Sequence, residues 1–157
     1  MRCVGFLRVG CRISRPGGLK IVGETSNITA QDAADTLRVI VDLASLDTKI
    51  ELRNRHMRDK YLEVEKYPKA ELMVARSTLV YPAANGESEG QAKGTLRLHG
   101  ASKEVAVRYS ARGVGKQVAV KGTCTIKMTD FNIKVPSYLG VSVKPDVTIE
   151  IKFVASR

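Results

Sequence analysis

The side chains best suited to acid–base or nucleophilic chemistry are few in this chain of 157 residues. It has two histidines, His56 and His99, and three cysteines, Cys3, Cys11 and Cys124. A histidine-based catalyst needs a nucleophile and an orienting carboxylate, and the sequence carries neither a G-x-S-x-G nor an H-E-x-x-H motif. A C-x-x-C motif, which would indicate a zinc or redox site, is also missing. We therefore expect no catalytic residue, no metal site and no cofactor.

The positions of these residues favour structural roles. His99 is in phase with Arg97 on the outward face of a strand, and we expect it to hydrogen-bond in the turn that Gly100 begins. Cys3 and Cys11 are eight residues apart in one extended segment, which separates them by roughly 26 Å, far more than the ~4.4–6.8 Å that a disulfide allows. They cannot pair unless the chain turns between them, so we interpret the cysteines as buried free thiols.

Alternation of apolar and polar residues with a period of two predicts strands along most of the chain. Glycine-containing turn signals at residues 85–86, 100–102 and 113–115 join neighbouring strands, as an antiparallel meander requires. The pattern predicts an all-β, mainly antiparallel, up-and-down barrel of about eight strands, formed as a single domain by residues 1–157. An early strand is predicted around Val9 to Ile13. The other predicted strands have their apolar positions at Leu19, Ile21 and Gly23, at Leu37, Val39, Val41 and Leu43, at Leu72 and Val74, at Leu96 and Leu98, at Val105, Val107 and Tyr109, at alternate residues of 118–128, and at Val147, Ile149, Ile151 and Phe153.

One segment has helical instead of strand periodicity. Residues 48–51, T-K-I-E, fit a capping box in which Thr48 begins the helix, and the pair Tyr67-Pro68 is expected to end it. Ile50, Met57, Tyr61 and Val64 fall on one side of this helix and form its predicted apolar face. The helix either plugs one end of the barrel or acts as a lid that contacts a ligand near the mouth.

The charge balance favours acidic partners without choosing among them. Lys and Arg number 26 against 16 Asp and Glu, a net charge of +10. The basic residues are scattered along the strands, and the eight aromatic residues include no Trp, which leaves little for a base-stacking platform. Nucleic acid is thus a disfavoured partner, whereas peripheral contact with an anionic membrane stays open. No apolar run reaches the ~18 residues of a membrane helix, and no secretory signal is visible at the N-terminus.

Three segments together resemble a known family. They are L-R-N-R-H-M-R-D-K-Y-L-E-V-E-K-Y-P at 52–68, G-T-L-R-L-H-G-A-S-K-E-V at 94–105 and M-T-D-F-N-I-K-V-P-S-Y-L-G-V at 128–141. In order and spacing, the chain from about residue 18 to residue 153 is similar to the YceI-like family of polyisoprenoid-binding, lipocalin-like proteins. Asn132 stands where the family pattern would have glycine, although asparagine tolerates a left-handed backbone.

The resemblance implies a β-barrel with a helix beside its mouth and an apolar cavity that holds an isoprenoid chain. It also implies a periplasmic or otherwise extracytoplasmic location. Our leading hypothesis is therefore a non-catalytic protein that transports or sequesters an isoprenoid-tailed amphipathic lipid, such as a quinone or polyprenyl lipid. The candidate ligand-binding residues are the inward strand positions Leu72, Val74, Leu96, Leu98, Val105, Val107, Val120 and Ile126, together with Met57, Tyr61 and Phe131 near the entrance.

Two functions from other classes compete with this hypothesis. The net charge of +10 would also suit a basic module that binds anionic membranes or polyanions. A third function is an enzyme that uses His56 or His99 on a bound lipid headgroup. A second copy of the chain, forming a homodimer, is a further possible partner.

Overall fold

The computed structural model describes residues 3–13, 20–33, 35–138 and 141–156. These residues form ten strands, one short α-helix and a few single helical turns. The helix α1 (Glu51–His56) continues into a π-helical turn, Met57–Tyr61, and 3-10 turns cover Leu43–Ser45, Arg76–Thr78 and Met128–Phe131. The strands are β1 (Cys3–Ile13), β2 (Lys20–Thr25), β3 (Ile28–Ala33), β4 (Thr36–Asp42), β5 (Lys69–Ala75), β6 (Glu87–Leu98), β7 (Ala101–Val114), β8 (Gln117–Lys127), β9 (Ser137–Tyr138) and β10 (Val141–Ser156).

The strands form one antiparallel sheet in the order β2-β1-β10-β8-β7-β6-β5-β4-β3, and β9 pairs with β10. From β3 to β8 each strand lies beside the next one in sequence, and the N-terminal hairpin β1-β2 is added along β10. The sheet curls, because β1 near one end of this order contacts β3 at the other end. The predicted mainly antiparallel, up-and-down β-fold is confirmed.

Each predicted strand segment corresponds to an observed strand, although Leu19 lies outside the described residues. Strands β3 and β9 were not predicted: β9 has two residues, and β3 presents Ile28 and Ala30 to the core among the side chains that are described. Cys3 and Cys11 lie in the same continuous strand β1, as expected from the extended segment. No helix in the described part of the chain has the length and apolar character needed to cross a bilayer.

The period-two pattern determines which side chains face inward. Leu96 and Leu98 in β6 are buried, whereas Thr95 and Arg97 between and beside them are exposed. The same alternation places Val105 and Val107 of β7 inside the curled sheet. One surface of β6 and of β7 therefore belongs to the core and the other to solvent.

The helix begins later than the capping box predicted, because Thr48 is engaged elsewhere. The residue before α1 is Ile50, which makes no side-chain cap and is 51% exposed, so it does not belong to an apolar helix face. The Thr48 hydroxyl and backbone N–H both donate to Asn54 Oδ1, at 2.6 and 2.8 Å, and the Asn54 amide donates to Asp47 at 2.9 Å. The side-chain amide of buried Asn54 thus ties the helix to the segment that precedes it.

The helix also ends earlier than Tyr67-Pro68. Glu63 has a φ of 48°, in the left-handed region, and the Val64 N–H donates back to Arg58 O at 2.9 Å. This hydrogen bond around a left-handed residue is the usual way in which a helix terminates, although glycine is the common residue there. Met57, Tyr61 and Val64 do pack against the core, as predicted for the apolar face.

Candidate functional site

The described residues enclose an apolar cavity of about 710 Å³ inside the curled sheet. It lies between inward side chains of strands β4 to β8 and β10 and is bordered by residues 79–82, which follow the 3-10 turn after β5. Val80 and Tyr81 line this cavity while being 59% and 52% exposed, so the cavity reaches the surface beside them. We call this end, bordered by residues 79–82, the mouth.

The cavity wall is almost entirely apolar. Aliphatic side chains from the strands supply most of it, because the inward positions of neighbouring strands come into register. Val120 on β8, for example, lies opposite Ala111 on β7 and Phe153 on β10. The full lining consists of Leu37, Val39, Leu72, Val74, Arg76, Leu79, Val80, Tyr81, Pro82, Ala92, Val107, Tyr109, Ala111, Val118, Val120, Gly122, Ile151, Phe153 and Ala155.

Polar groups in this lining come from only three side chains among the described residues, Arg76, Tyr81 and Tyr109. The Arg76 Nε donates to the Tyr81 hydroxyl at 3.1 Å, and its guanidinium lies 5.5 Å from the centre of the Tyr81 ring. Tyr81 belongs to the segment that borders the mouth and Arg76 lies just before it, so a positive charge and a hydroxyl stand at one end of an otherwise apolar space.

The segment that borders the mouth is held to the sheet by hydrogen bonds at Val80. Its N–H donates to the Tyr109 hydroxyl at 2.8 Å, and its carbonyl accepts from the Ser88 hydroxyl at 2.8 Å. Pro82 is buried against the sheet at the end of this segment. Since both backbone groups of Val80 are bonded to the sheet, the position of the segment at the mouth is specified by β6 and β7.

The structure brings four of the predicted ligand-binding residues together in the cavity wall: Leu72, Val74, Val107 and Val120. Leu96, Leu98, Val105 and Ile126 face inward as predicted, but they pack in the other half of the interior. Phe131, predicted near the entrance, is 1% exposed and is the most deeply buried large side chain described. With Met128 and Ile133 it fills that half, so none of these side chains lines the cavity.

The helix stands at the filled end, not at the mouth. The chain leaves β4 at Asp42, forms α1, and enters β5 at Lys69, and these two residues pair directly at one end of the sheet. The mouth segment follows the opposite end of β5, after the pair formed by Thr36 and Ala75. Met57 and Tyr61 therefore pack on the core cluster without lining the cavity, and the prediction that the helix lies near the mouth is wrong.

His99 connects three segments at this filled end. Its ring is buried and not on the outward face as predicted, because His99 and Gly100 both have left-handed backbone angles in the two-residue turn between β6 and β7. Nδ1 lies 3.0 Å from the Phe131 carbonyl and Nε2 lies 2.6 Å from a carboxylate oxygen of Glu63. The Tyr67 ring packs against the imidazole with the ring centres 4.7 Å apart.

Both partners of the His99 ring accept hydrogen bonds, so both contacts are satisfied when each ring nitrogen carries a proton. The hydrogen bond from His99 is the largest cause that lowers the pKa of Glu63 below its ordinary value. The arrangement holds the 3-10 turn after β8, the β6-β7 turn and the end of the helix together. His56, on α1, is exposed.

Of the three cysteines, the structure describes the side chain of Cys124, which is a buried free thiol. Burial raises the pKa of the Cys124 thiol to about 11, which keeps it protonated at neutral pH. Within the described ranges, no group of three or more His, Cys, Asp and Glu side chains is placed to hold a metal ion.

Sequence reasoning missed two parts of the cavity wall. Leu37, Val39, Ile151 and Phe153 lie on strands whose inward phase was recognised, so the alternation could have included them. The mouth residues 79–82 lie in irregular chain without periodicity, and no sequence signal marks their contact with the cavity.

Comparison with known proteins places this architecture in a family. The family model of the YceI-like domain matches residues 8–155. A UPF0312 protein of Pseudomonas syringae is 32% identical over 135 residues, which cover 82% of this chain and 68% of that protein. A UPF0312 protein of Vibrio cholerae is 31% identical over 142 residues, which cover 86% of this chain and 71% of that protein.

Solved structures share the fold at lower sequence identity. A polyisoprenoid binding domain from Saccharophagus degradans, implicated in plant cell wall breakdown, superposes with a TM-score of 0.79 at 18% identity, covering 98% of this chain and 94% of that domain. Burkholderia cenocepacia BcnA superposes with a TM-score of 0.72 at 20% identity and 96% coverage of both chains. The family match over nearly the whole chain confirms the resemblance found in its motifs, and the chain belongs to the YceI-like domain family.

Proposed function

We propose that this protein binds an amphipathic lipid with an isoprenoid tail and carries or sequesters it without transforming it. The observation that carries the proposal is the apolar cavity of about 710 Å³ with a mouth at the surface. This volume lies within the ~300–1,000 Å³ of typical small-molecule sites. The tail would occupy the space between Leu72, Val74, Val107 and Val120.

Burial of the tail supplies the binding free energy in this proposal. Each CH₂ removed from water contributes about 0.8 kcal/mol, so one five-carbon isoprene unit gains about 4 kcal/mol. A few buried units therefore offset the roughly 4–15 kcal/mol cost of association without an ionic contact. The length and width of the cavity, and not a set of hydrogen bonds, would select the tail.

The distribution of polar groups supports an amphipathic ligand with its head at the mouth. Arg76 and Tyr81 stand at the mouth, where an arginine can bind phosphate or a carbonyl oxygen. The opposite end of the interior is filled by apolar side chains around Phe131. A ligand that enters tail first therefore places its tail among apolar side chains and its polar head beside Arg76 and Tyr81.

The lining also favours binding over catalysis. Among the described residues that form it, none is Asp, Glu, His, Cys, Ser or Lys, so a general base or a nucleophile other than a tyrosine hydroxyl is not available. The buried histidine, His99, uses both ring nitrogens in contacts at the filled end. The polyisoprenoid binding domain of Saccharophagus degradans, which has the same fold, agrees with this proposal.

Organic extraction of the purified protein followed by mass spectrometry tests the proposal directly, and recovery of a prenyl lipid is the expected result. Titration of delipidated protein with a fluorescent prenyl analogue should show saturable binding. Arg76→Gln should weaken the binding of an analogue with a phosphate head more than the binding of the corresponding alcohol. Arg108→Gln, on the exposed outer face of β7, should change the affinity for neither analogue. Absence of saturable binding to every prenyl analogue would contradict the proposal.

Several finer points stay predictions from the family resemblance. They are a quinone as the ligand, a role in transport and an extracytoplasmic location. A homodimer stays a separate, untested prediction.

A further inference from the structure

Three large apolar side chains are exposed around the mouth. Val80, Tyr81 and Val114 are 59%, 52% and 58% exposed, although apolar residues of this size are usually buried. Val80 and Tyr81 belong both to the cavity wall and to the outer surface. We call these three residues the mouth surface.

Val114 is brought to the mouth by the tip of the β7-β8 hairpin. Its neighbour Gly113 donates its N–H to Gly86 O at 2.9 Å, and Gly115 on the other side donates to Asn85 Oδ1 at 3.2 Å. A side chain at Gly113 would collide with the carbonyl of Ala83, so this glycine permits the close approach. The hairpin tip therefore packs against the chain that continues from Val80 and Tyr81.

Basic side chains stand on the hairpin that carries Val114. Arg112 and Lys116 are exposed on the same hairpin as Val114. Lys121 on β8 and Lys152 on β10 are paired directly across the outer face of the sheet, an arrangement of like charges that is unfavourable on its own. Arg112 forms an exposed ion pair with Glu87, at 3.6 Å, which contributes little. Glu87 and Glu89 border the same outer groove as Arg112, Lys121 and Lys152, so the basic groups at the hairpin tip itself are Arg112 and Lys116.

We propose that the mouth surface docks onto an anionic phospholipid bilayer, with Val114, Val80 and Tyr81 inserted among the headgroups and the cations beside them on lipid phosphates. Apolar insertion and electrostatic attraction add in peripheral membrane binding, as they do for basic amphipathic segments. Docking in this orientation aligns the cavity with the lipid acyl region. A role of this docking in lipid exchange rests on the proposed function. If the cavity holds a lipid tail, docking lets the tail move between bilayer and cavity without crossing water.

The filled end provides an internal comparison. Ile50, just before α1, and Leu52, within it, are 51% and 60% exposed, and Lys49 and Arg55 lie near them in sequence, so this end also offers apolar and basic groups. None of these described residues lines the cavity. The mouth is the end where the exposed apolar residues continue into an apolar interior, and this continuity favours it as the docking surface.

Single-tryptophan variants test the orientation, since the chain contains no Trp. Val114→Trp places the probe on the mouth surface without changing the cavity lining, and Leu52→Trp places the matched probe at the filled end. Both delipidated variants are mixed with vesicles of phosphatidylcholine alone and of phosphatidylcholine with phosphatidylglycerol. We expect the emission of Val114→Trp to shift to shorter wavelength with the anionic vesicles only, and that of Leu52→Trp to stay unchanged.

Flotation with the same vesicles tests the contribution of charge. Arg112→Gln and Lys116→Gln should each reduce the bound fraction, by about fivefold per cation in the partition constant. No flotation of the wild-type protein, a shift at position 52 instead of 114, or retention by heparin without vesicle binding would each overturn the docking proposal. Because the analogue titration is done without vesicles, saturable prenyl binding in the same preparation would leave the proposed function standing when docking fails.

Discussion

Phenylalanine in place of Val120 distinguishes an empty cavity from a packed core, and Leu98 provides the matched comparison. Both are inward-facing aliphatic residues near the middle of the sheet, but Val120 lines the cavity and Leu98 packs in the filled half. Adding a ring to a packed core costs about 1–3 kcal/mol. At roughly 2–4 °C per kcal/mol for a domain of this size, Leu98→Phe should lower Tm by about 2–12 °C.

The ring in Val120→Phe can enter the cavity, so the delipidated variant should unfold within about 2 °C of wild type. The same ring occupies space that the lipid tail would use. Exclusion of three methylenes at about 0.8 kcal/mol each removes roughly 2.4 kcal/mol of binding, which is about a fifty-fold rise in Kd. Ala119→Ser, on the exposed side of the same strand, should change neither quantity.

The measurements are thermal unfolding of the delipidated proteins and titration with the fluorescent prenyl analogue. Equal destabilisation by Val120→Phe and Leu98→Phe would mean that position 120 is packed core. A folded Val120→Phe variant that binds the analogue with wild-type affinity would place the tail elsewhere. Either result refutes the assignment of the tail to this part of the cavity.

Three further predictions concern the filled end and the buried thiol. His99→Asn tolerates the left-handed backbone but loses both ring contacts, so the free energy of unfolding in urea should fall by about 1–3 kcal/mol. The hydrogen bond from His99 lowers the pKa of Glu63, so the stabilisation that it gives the folded protein is complete above the ordinary pKa of 4.5 and is lost as the pH falls through the lowered pKa of the folded state. Below pH 4.5 the free energy of unfolding should therefore depend less steeply on pH in the variant than in wild type. An equally steep dependence would contradict this. Asn54→Ala removes the acceptor of two buried Thr48 donors and should lower the free energy of unfolding by about 2–4 kcal/mol in the same urea assay. A decrease below about 1 kcal/mol would contradict this. Because burial raises the pKa of Cys124 to about 11, iodoacetamide at pH 8 should label it only after unfolding, as peptide mass spectrometry would show, and rapid labelling of the native protein would be inconsistent with this burial.

The helix shows where local patterns were insufficient. The capping-box residues are present, but the Thr48 hydroxyl is used by the Asn54 side chain, six residues away. The helix ends at a left-handed Glu63, whose carboxylate contacts His99 in a turn 36 residues away. A propensity for ending a helix at proline is a local preference, and these tertiary contacts override it.

The amino-acid sequence by itself determined the antiparallel β-class, most of the strands and their inward faces, because period-two alternation is a property of each strand alone. Its motifs also determined the family. Only the tertiary structure decided which inward residues surround open space: Leu98 and Val120 have the same alternation, yet Phe131 and its neighbours fill one half of the interior and leave the other half empty. Packing density depends on the combined volume of side chains from different strands and from the irregular segments at the two ends. The alternation within any one strand does not determine this combined volume.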